Sequence, residues 1–300
     1  MNTLKALIYR NTKLFFKDKG VLFTSLITPL ILLVLYVTFL GNIYKESFEM
    51  SIPESLNVTD KVISGCVGGQ LFSSLLAVCC VTVAFCSNMI MVNDKVSGAA
   101  RDIAVSPVKR STVSLAYYIS TAISTLIVCY VAAIACFIYV AIIGWYLSVA
   151  DVLLILLDIF LLVMFGTALS SIINFFLSSQ GQISAVGTIV SAGYGFICGA
   201  YMPISQFADG LQKVISFLPG TYGTALLRNH AMRGAIAELK EAGLPEEAIT
   251  AIKNGVDCNI YFFDNAVPET GMFSILAGAV IILIAAYIAL NVFAGGKAKK

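Results

Sequence analysis

The chain has 300 residues, of which 59% are hydrophobic and 12% are charged, and its formal net charge at pH 7 is +2. Soluble domains carry about 25% charged residues, so this composition cannot cover the surface of a water-soluble globule. The apolar runs are continuous rather than alternating, which predicts membrane-spanning helices and excludes a transmembrane barrel. The small net charge, without a cluster of basic and aromatic residues, argues against a nucleic-acid partner.

Residues 1–20 precede the first apolar run and predict an amphipathic helix. Apolar residues such as Leu7 and Leu14 share one broad face of this helix, whereas Lys5 and Lys13 lie elsewhere. This pattern is typical of a helix lying on the inner surface of a membrane. The alternative is a charged flank that only orients the first span.

The apolar runs divide into six lengths that can each cross a membrane, for which a helix needs about 20 residues. The predicted spans are residues 21–40, 62–91, 112–143, 153–176, 183–200 and 271–293. No charge occurs between Asp158 and Asp209, an interval too long for one helix. Polar residues at 178–182 indicate where this interval divides into two spans. An even number of spans places both termini on one side.

The distribution of Lys and Arg assigns that side. The N-terminal segment, the loop after the second span and the C-terminal tail together carry twelve basic residues and three acids. Residues 41–62 and 201–270 carry seven basic and twelve acidic residues. Because basic residues are retained on the inner side, both termini are predicted to be cytoplasmic. The expected location is the plasma membrane, with a bacterial source.

Residues 92–110 connect the second and third predicted spans and form the most informative loop. Gly98 and Pro107 bracket a helix-compatible stretch at residues 99–105, in the positions where a short helix begins and ends. A short cytoplasmic helix with mixed charged and apolar side chains suits docking into a cleft on a soluble subunit. An ordinary polar interhelical loop is the alternative interpretation.

Residues 201–270 form the largest predicted segment outside the membrane, on the external side. Residues 199–220 are too apolar for a free loop and predict short re-entrant helices before the last span, a form tolerated where it is buried in protein. Residues 235–254 predict two short polar helices broken at residues 243–245. These polar helices form a small external cap in this interpretation.

Asp158 is the one acid within a predicted span. Such a group usually faces protein or water, so both a hydrogen bond between helices and a cation contact in a vestibule are open interpretations. Asp158, Tyr117 and Tyr130 are the possible pathway or vestibule residues. Simple packing is the alternative for the two tyrosines.

The sequence lacks the motifs of common catalytic sites. It contains no GxxxxGK[ST] nucleotide-binding loop, no HExxH and no metal-binding spacing of Cys and His, and His230 is its only histidine. These absences remove the P-loop, zinc-protease and histidine-pair classes. No catalytic residue, metal or cofactor is therefore predicted, and the chain is not expected to be an enzyme.

Three stretches occur in a characteristic order on the six-span frame. The amphipathic N-terminal helix comes first, and residues 94–98 with 106–110 come second, beginning at Asp94. The third stretch, residues 217–234, contains Arg228. Over nearly its whole length the chain thereby resembles the membrane subunits, or permeases, of type-2 ABC exporters. One departure from the family is Asp94, where glutamate is more usual.

The resemblance implies a single transmembrane permease domain over residues 1–300, with residues 92–110 as a coupling loop that receives motion from a separate ABC ATPase subunit. ATP and Mg²⁺ would bind to that partner. The resemblance assigns Asp94, Gly98, Ser106, Pro107 and Arg110 to coupling, and Arg101 and Asp102 of the predicted docking helix are expected to take part with them. Six helices do not readily enclose a path for a large solute, so a second permease copy or a paralogue is expected, in contact with membrane lipids.

A drug, an antibiotic or an antimicrobial peptide is the expected substrate, and export of a polysaccharide or a lipid is the alternative. An ATP-independent transporter and a membrane immunity or sensor protein are competing functions of other classes. The former needs intramembrane ionisable pairs or a broken-helix repeat, and only Asp158 qualifies. The latter would make the external cap the active part.

Overall fold

The computed structural model describes residues 3–53, 56, 58–263 and 265–297. In chain order its elements are α1 (Thr3–Lys17), α2 (Lys19–Leu35), a π-helical turn (Tyr36–Leu40), α3 (Gly41–Ser51), α4 (Asp60–Ser97), α5 (Ala99–Val105), α6 (Arg110–Ile143), α7 (Val149–Phe176), α8 (Gln180–Ile197), a 3₁₀ turn (Ile204–Gln206), α9 (Asp209–Ile215), α10 (Pro219–Glu241), α11 (Glu246–Gly255), β1 (Ile260–Phe262), β2 (Asn265–Val267) and α12 (Glu269–Lys297). The predicted tail residues 298–300 lie outside the described residues.

Five helices of the described residues are long and apolar enough to cross a membrane: Lys19–Ser51, Asp60–Ser97, Arg110–Ile143, Val149–Phe176 and Glu269–Asn291. They correspond to five of the six predicted spans. The sixth prediction corresponds to α8, whose 18 residues extend about 27 Å. α8, which begins with Gln180 and Gln182, is not among these five helices, so the sixth span stays a prediction.

α4 is the central helix of the bundle. It packs against α2, α6, α7, α8 and α10, and most of its side chains are buried. Small residues allow this close approach, as expected for packed membrane helices. At Gly69, for example, a Cβ atom would lie 2.8 Å from the Met232 side chain and 3.0 Å from the Ala231 carbonyl oxygen.

The first helical span continues well beyond its predicted end at residue 40. α2, the π-helical turn and α3 form one helical run to Ser51. The extension is stabilised by Tyr44 and Phe48, which are buried in an apolar cluster with residues of α4, α10 and α11. Lys45 and Glu49, one helical turn apart, form an exposed ion pair on its other face. A prediction based on apolar length alone stops too early here, because packing sustains the polar part of the helix.

α10 is one continuous helix (Pro219–Glu241). It joins the end of the predicted re-entrant segment, residues 199–220, to the first of the two polar helices predicted over residues 235–254. Its first turn packs deep in the bundle, where Gly220 contacts Phe165 of α7 and Tyr194 of α8. Thirteen residues later, Arg233 bonds Asp151 in the first turn of α7, so the two helices run side by side for about 20 Å.

The break predicted within residues 235–254 is present, and a hairpin that was not predicted follows it. α10 ends at Glu241 and α11 begins at Glu246, with Gly243 at a φ of +92° between them, a conformation that glycine adopts readily. The antiparallel hairpin β1–β2 was not predicted. Each of its strands has only three residues, too few to give a pattern of alternation.

α1 and the last described turns of α12 lie at the same end of the bundle, where α6 begins. Ser114 near the start of α6 donates to the Asn291 side chain of α12 at 2.6 Å, and Tyr287 of α12 donates to the Ser114 carbonyl oxygen at 3.2 Å. Arg10 of α1 bonds Asp94 near the end of α4. We call this end, where α4 finishes and α6 begins, the inner end, and the opposite end the outer end.

Candidate functional site

The predicted coupling loop forms a short helix at the inner end. Gly98 ends α4 with a φ of +88°, and α5 then covers residues 99–105, as predicted. The left-handed backbone at Gly98 turns the chain sharply, which a residue with a side chain resists. None of the seven residues of α5, all of them described, is buried, and Val105 is 88% exposed. α5 therefore protrudes from the bundle.

The residues that follow α5 close it and start the next span. The Ser106 hydroxyl donates to the Ile103 carbonyl oxygen at 2.5 Å, and Pro107 lies in the turn before α6 begins at Arg110. Arg101, Asp102 and Arg110 all have exposed side chains. These three predicted coupling residues are therefore accessible to solvent.

Asp94 anchors the base of α5 to two other helices. Its carboxylate accepts two hydrogen bonds from the Arg10 guanidinium of α1, at 2.7 and 2.9 Å, and one from the Tyr117 hydroxyl of α6, at 2.5 Å. Bidentate pairs of this kind fix geometry as well as supplying energy. The hydrogen bonds to Asp94 raise the pKa of the Arg10 guanidinium, although partial burial opposes the shift. This pair joins α1 to the end of α4, although Arg10 and Asp94 are 84 positions apart in the sequence.

Lys95, the next residue, anchors the same base to the end of α7. Its ammonium group donates to the carbonyl oxygens of Asn174, Phe175 and Leu177 at 3.0, 2.8 and 3.0 Å, and it lies 5.7 Å from the centroid of the Phe175 ring. The last carbonyls of a helix have no partner within the helix, so Lys95 acts as a cap for α7. Sequence reasoning missed this contact because its acceptors are backbone atoms.

The predicted pathway residues occupy three separate places. Tyr117 belongs to the Asp94 anchor just described, and Tyr130 donates to the Leu156 carbonyl oxygen at 3.5 Å. Asp158 is 1% exposed and meets His230 of α10, with Oδ2 and Nδ1 2.5 Å apart. The structure thus favours the interpretation of Asp158 as a link between helices. A role in a pathway stays a prediction for all three residues.

Arg228 joins three elements at the outer half of the bundle. Its side chain is fully buried and donates to the carbonyl oxygens of Cys198 and Gly199 after α8 and to the Ser74 hydroxyl of α4. Its Nη1 lies 3.6 Å from Asp257 Oδ2. Within the described part of the chain, Nε and Nη1 of Arg228 have no hydrogen-bond acceptor, so the charge depends on Asp257 for compensation.

Asp257, in the turn before β1, completes this link to the external cap. Its two carboxylate oxygens accept from the Ile204 backbone N–H at 3.1 and 2.9 Å. Burial raises the pKa of the Asp257 carboxyl group, whereas the Arg228 charge lowers it. Sequence reasoning singled out Arg228 but not Asp257, because the pair is brought together only by the fold.

Arg233 adds an ion-pair cluster at the outer end. Its guanidinium bonds Asp151 of α7 at 3.1 Å and Glu269 of α12 at 2.9 Å. Asp151 also accepts from the backbone and hydroxyl of Ser148, as part of the capping box that starts α7. α10 is therefore tied to α7 and α12 where both begin.

A cleft of about 1430 Å³ separates α2 from α8. It extends from Asp18 at the inner end to Gln206 and Gly255 at the outer end, and Cys86 and Met89 of α4 form part of its floor. Its polar side chains are mainly hydroxyls, from Thr24 and Thr28 on α2 and Ser184, Thr188 and Ser191 on α8. Of the described lining residues, Asp18 alone carries a formal charge. None of the three predicted pathway residues lines this cleft.

The comparisons with known proteins agree with this arrangement. The family described as ABC-2 type transporter matches residues 2–231, which include the N-terminal helix, the coupling loop and the first half of α10. Among curated proteins, none matches the sequence significantly. The family match covers most of the chain and includes most of the segments on which the resemblance was based. The chain belongs to the ABC-2 type transporter family, as a multi-pass membrane permease subunit.

Proposed function

We propose that this chain is the membrane-spanning subunit of an ATP-driven exporter and that α5 receives the motion of a separate ABC ATPase subunit. The supporting observation is the contrast within the coupling loop. α5 itself is unburied, whereas the residue pair at its base is held by α1, α6 and α7. A helix that is free on its surface and fixed at its base can accept a partner and pass on its displacement.

Family membership supports the partner. ABC-2 permeases have no nucleotide-binding site of their own and work with an ABC ATPase, and this sequence contains no nucleotide-binding loop. In the proposal, ATP and Mg²⁺ bind to that ATPase. The permease contributes differential contacts with two conformations, which suffice to couple hydrolysis to movement.

Counting α8 as a sixth crossing gives the proposed topology. α12 reaches the inner end beside α6, where α1 also lies, and this arrangement requires an even number of crossings. With the basic residues of the inner end retained in the cytosol, both termini and α5 are cytoplasmic. α1 is then the interfacial helix, and α9 with the first half of α10 re-enters from the outside.

The cleft between α2 and α8 supports the proposal of a dimer. One chain leaves this cleft uncovered along its side, and several apolar side chains of α2 are exposed there, including Ile27 and Ile31. A second permease, either identical or a paralogue, closes the cleft into a substrate route. Its apolar lining, with hydroxyls and one charge, suits a drug, an antibiotic or an amphiphilic peptide better than a phosphate-linked polysaccharide.

Purification from the native membrane tests the proposal. An ABC ATPase subunit is expected to co-elute, and the complex in lipid vesicles is expected to hydrolyse ATP. Reversing both coupling charges, by Arg101→Glu with Asp102→Arg, should lower ATP hydrolysis or the recovery of the ATPase subunit. Glu247→Lys, a charge reversal on the exposed surface of α11, is the matched control. A folded permease that purifies without any ATPase contradicts the proposal.

A further inference from the structure

Asp94 and Lys95 are consecutive residues, but they hold the base of α5 to different parts of the bundle. Asp94 contacts α1 and α6, which lie on one side of the last turn of α4. Lys95 contacts only the carboxyl end of α7 among its side-chain hydrogen-bond partners in the described residues. A displacement of α5 can therefore be transmitted to α1 and α6 through Asp94, and to α7 through Lys95.

The Lys95 site matches the chemistry of an ammonium group. Lysine carries three N–H donors, and three carbonyl oxygens lie within 2.8–3.0 Å of Nζ. A positive charge at the carboxyl end of α7 also complements the helix dipole. Arginine keeps the charge, but its planar group cannot direct three donors to this tripod of acceptors.

The end of α7 leads directly to the cleft. Only residues 177–179 separate α7 from α8, and the Leu177 carbonyl oxygen is one of the three acceptors of Lys95. Ser179 then starts α8 in a capping box with Gln182. Gln180 and Ser184, in the first turns of α8, line the inner part of the cleft. Lys95 thus lies between α5 and the inner mouth of the cleft.

We infer that Lys95 is a positioning residue that carries the displacement of α5 through the α7–α8 turn to the inner mouth of the cleft. The inference rests on the proposed function, because it requires an ATPase that moves α5. It differs from a purely stabilising cap, which would hold α7 in place without changing how the cleft responds to nucleotide.

The accessibility of residue 184 reports on the inner mouth. Ser184 is exposed and lines the cleft, so Ser184→Cys can be labelled by a maleimide in the purified complex with its ATPase, in lipid nanodiscs. The native cysteines are buried or half-buried, and the parent protein measures their background. Labelling rates are compared without nucleotide and with ATP plus vanadate, and thermal unfolding is recorded for every variant.

With Lys95 present, we expect nucleotide to change the labelling rate at least about fivefold, as for a two-state shift. In Lys95→Met the change should fall below about twofold, while the ATPase subunit still co-purifies. Lys61→Met, which removes an exposed lysine at the opposite end of α4, should keep the full change. A full nucleotide response in an intact Lys95→Met complex overturns the inference.

Two further outcomes separate this inference from the proposed function. If Lys95→Met does not assemble, Lys95→Arg is measured, and a full response in that variant also overturns the inference, since the tripod is lost. An unmutated complex that hydrolyses ATP without changing the rate at residue 184 overturns it as well. Absence of an ATPase from the unmutated preparation contradicts the proposed function instead.

Discussion

The buried charges in the outer half of the bundle and the charges at its inner end hold different parts of the molecule. At the outer half, Arg228 is fully buried and the His230–Asp158 pair is nearly so. At the inner end, the Arg10 side chain keeps 35% of its surface exposed while it bonds Asp94. The outer charges join α10 to the helices around it, whereas the inner charges hold a helix that protrudes from the bundle.

This difference separates structural stability from the transmission of movement. A buried charge loses its hydration, so removing its partner costs several times more than breaking an ion pair at the surface. The outer half should therefore respond to mutation mainly by unfolding. At the inner end, Arg10 is partly exposed and the buried Asp94 is also bonded by Tyr117, so breaking the Arg10–Asp94 pair should cost less and its loss should appear in coupling to the ATPase.

Asp257→Ala should have the largest effect on stability. It leaves the Arg228 charge buried without compensation, which typically costs about 3 to 5 kcal/mol. The free energy of unfolding, measured by SDS titration in mixed micelles, should fall by about that amount. Asp257→Asn keeps an acceptor for the Ile204 N–H and should lose less. Equal and small losses in both variants would show that Arg228 does not depend on Asp257.

Gly234→Ala should come next, because α10 passes directly against the backbone of the loop before α7. A Cβ atom at residue 234 would overlap the Tyr146 carbonyl oxygen, and a backbone atom cannot rotate away. Overpacking of this kind costs up to about 3 kcal/mol. Gly278→Ala in α12, where a Cβ atom would meet no described atom within 4 Å, is the control and should not lower stability.

His230→Phe should destabilise the protein by about 2 kcal/mol, because it leaves a buried polar group without a partner. Oδ1 of Asp158 already lacks a hydrogen bond among the described residues, and the substitution removes the contact at Oδ2. The double variant Asp158→Leu with His230→Phe should regain most of the loss, since apolar replacement of a buried pair is often neutral. A double variant as unstable as the single one would contradict this account.

Arg10→Met should have the smallest effect on stability, between about 1 and 2 kcal/mol, because Arg10 is partly exposed and the buried Asp94 carboxylate keeps its hydrogen bond from Tyr117. Its effect on coupling to the ATPase should be larger than its effect on the free energy of unfolding. We expect the assembled complex to retain its ATPase subunit but to lose nucleotide-dependent changes in labelling of Ser184→Cys. If Arg10→Met lowered the free energy of unfolding as much as Asp257→Ala does, the two ends would not differ in their contribution to stability.

Helix positions could largely be predicted from the sequence, because lipid requires long uninterrupted apolar runs between polar turns. The sequence predicted α5 over the residues that form it, since Gly98 precedes this helix and Pro107 follows it. α3 was missed because its residues are polar on one face, and its stability comes from burial of Tyr44 and Phe48 against distant parts of the chain.

The links between helices could not be predicted in the same way. His230 and Asp158 are 72 positions apart, and nothing local to either residue identifies its partner. Lys95 bonds backbone carbonyl oxygens, which carry no signal in the sequence. The cleft could not be predicted either. Its lining is mainly Ser, Thr and aliphatic residues, which do not distinguish α2 and α8 from the other spans.

The sidedness of α5 is the most direct test of the proposed function. Single cysteines are introduced at Ala104, exposed on α5, and at Glu247, exposed on α11, and intact cells are treated with a membrane-impermeant maleimide. We predict labelling of Glu247→Cys in intact cells, and labelling of Ala104→Cys only after lysis, with protection when the ATPase subunit is bound. Labelling of Ala104→Cys in intact cells would place α5 outside, beyond the reach of any cytosolic ATPase.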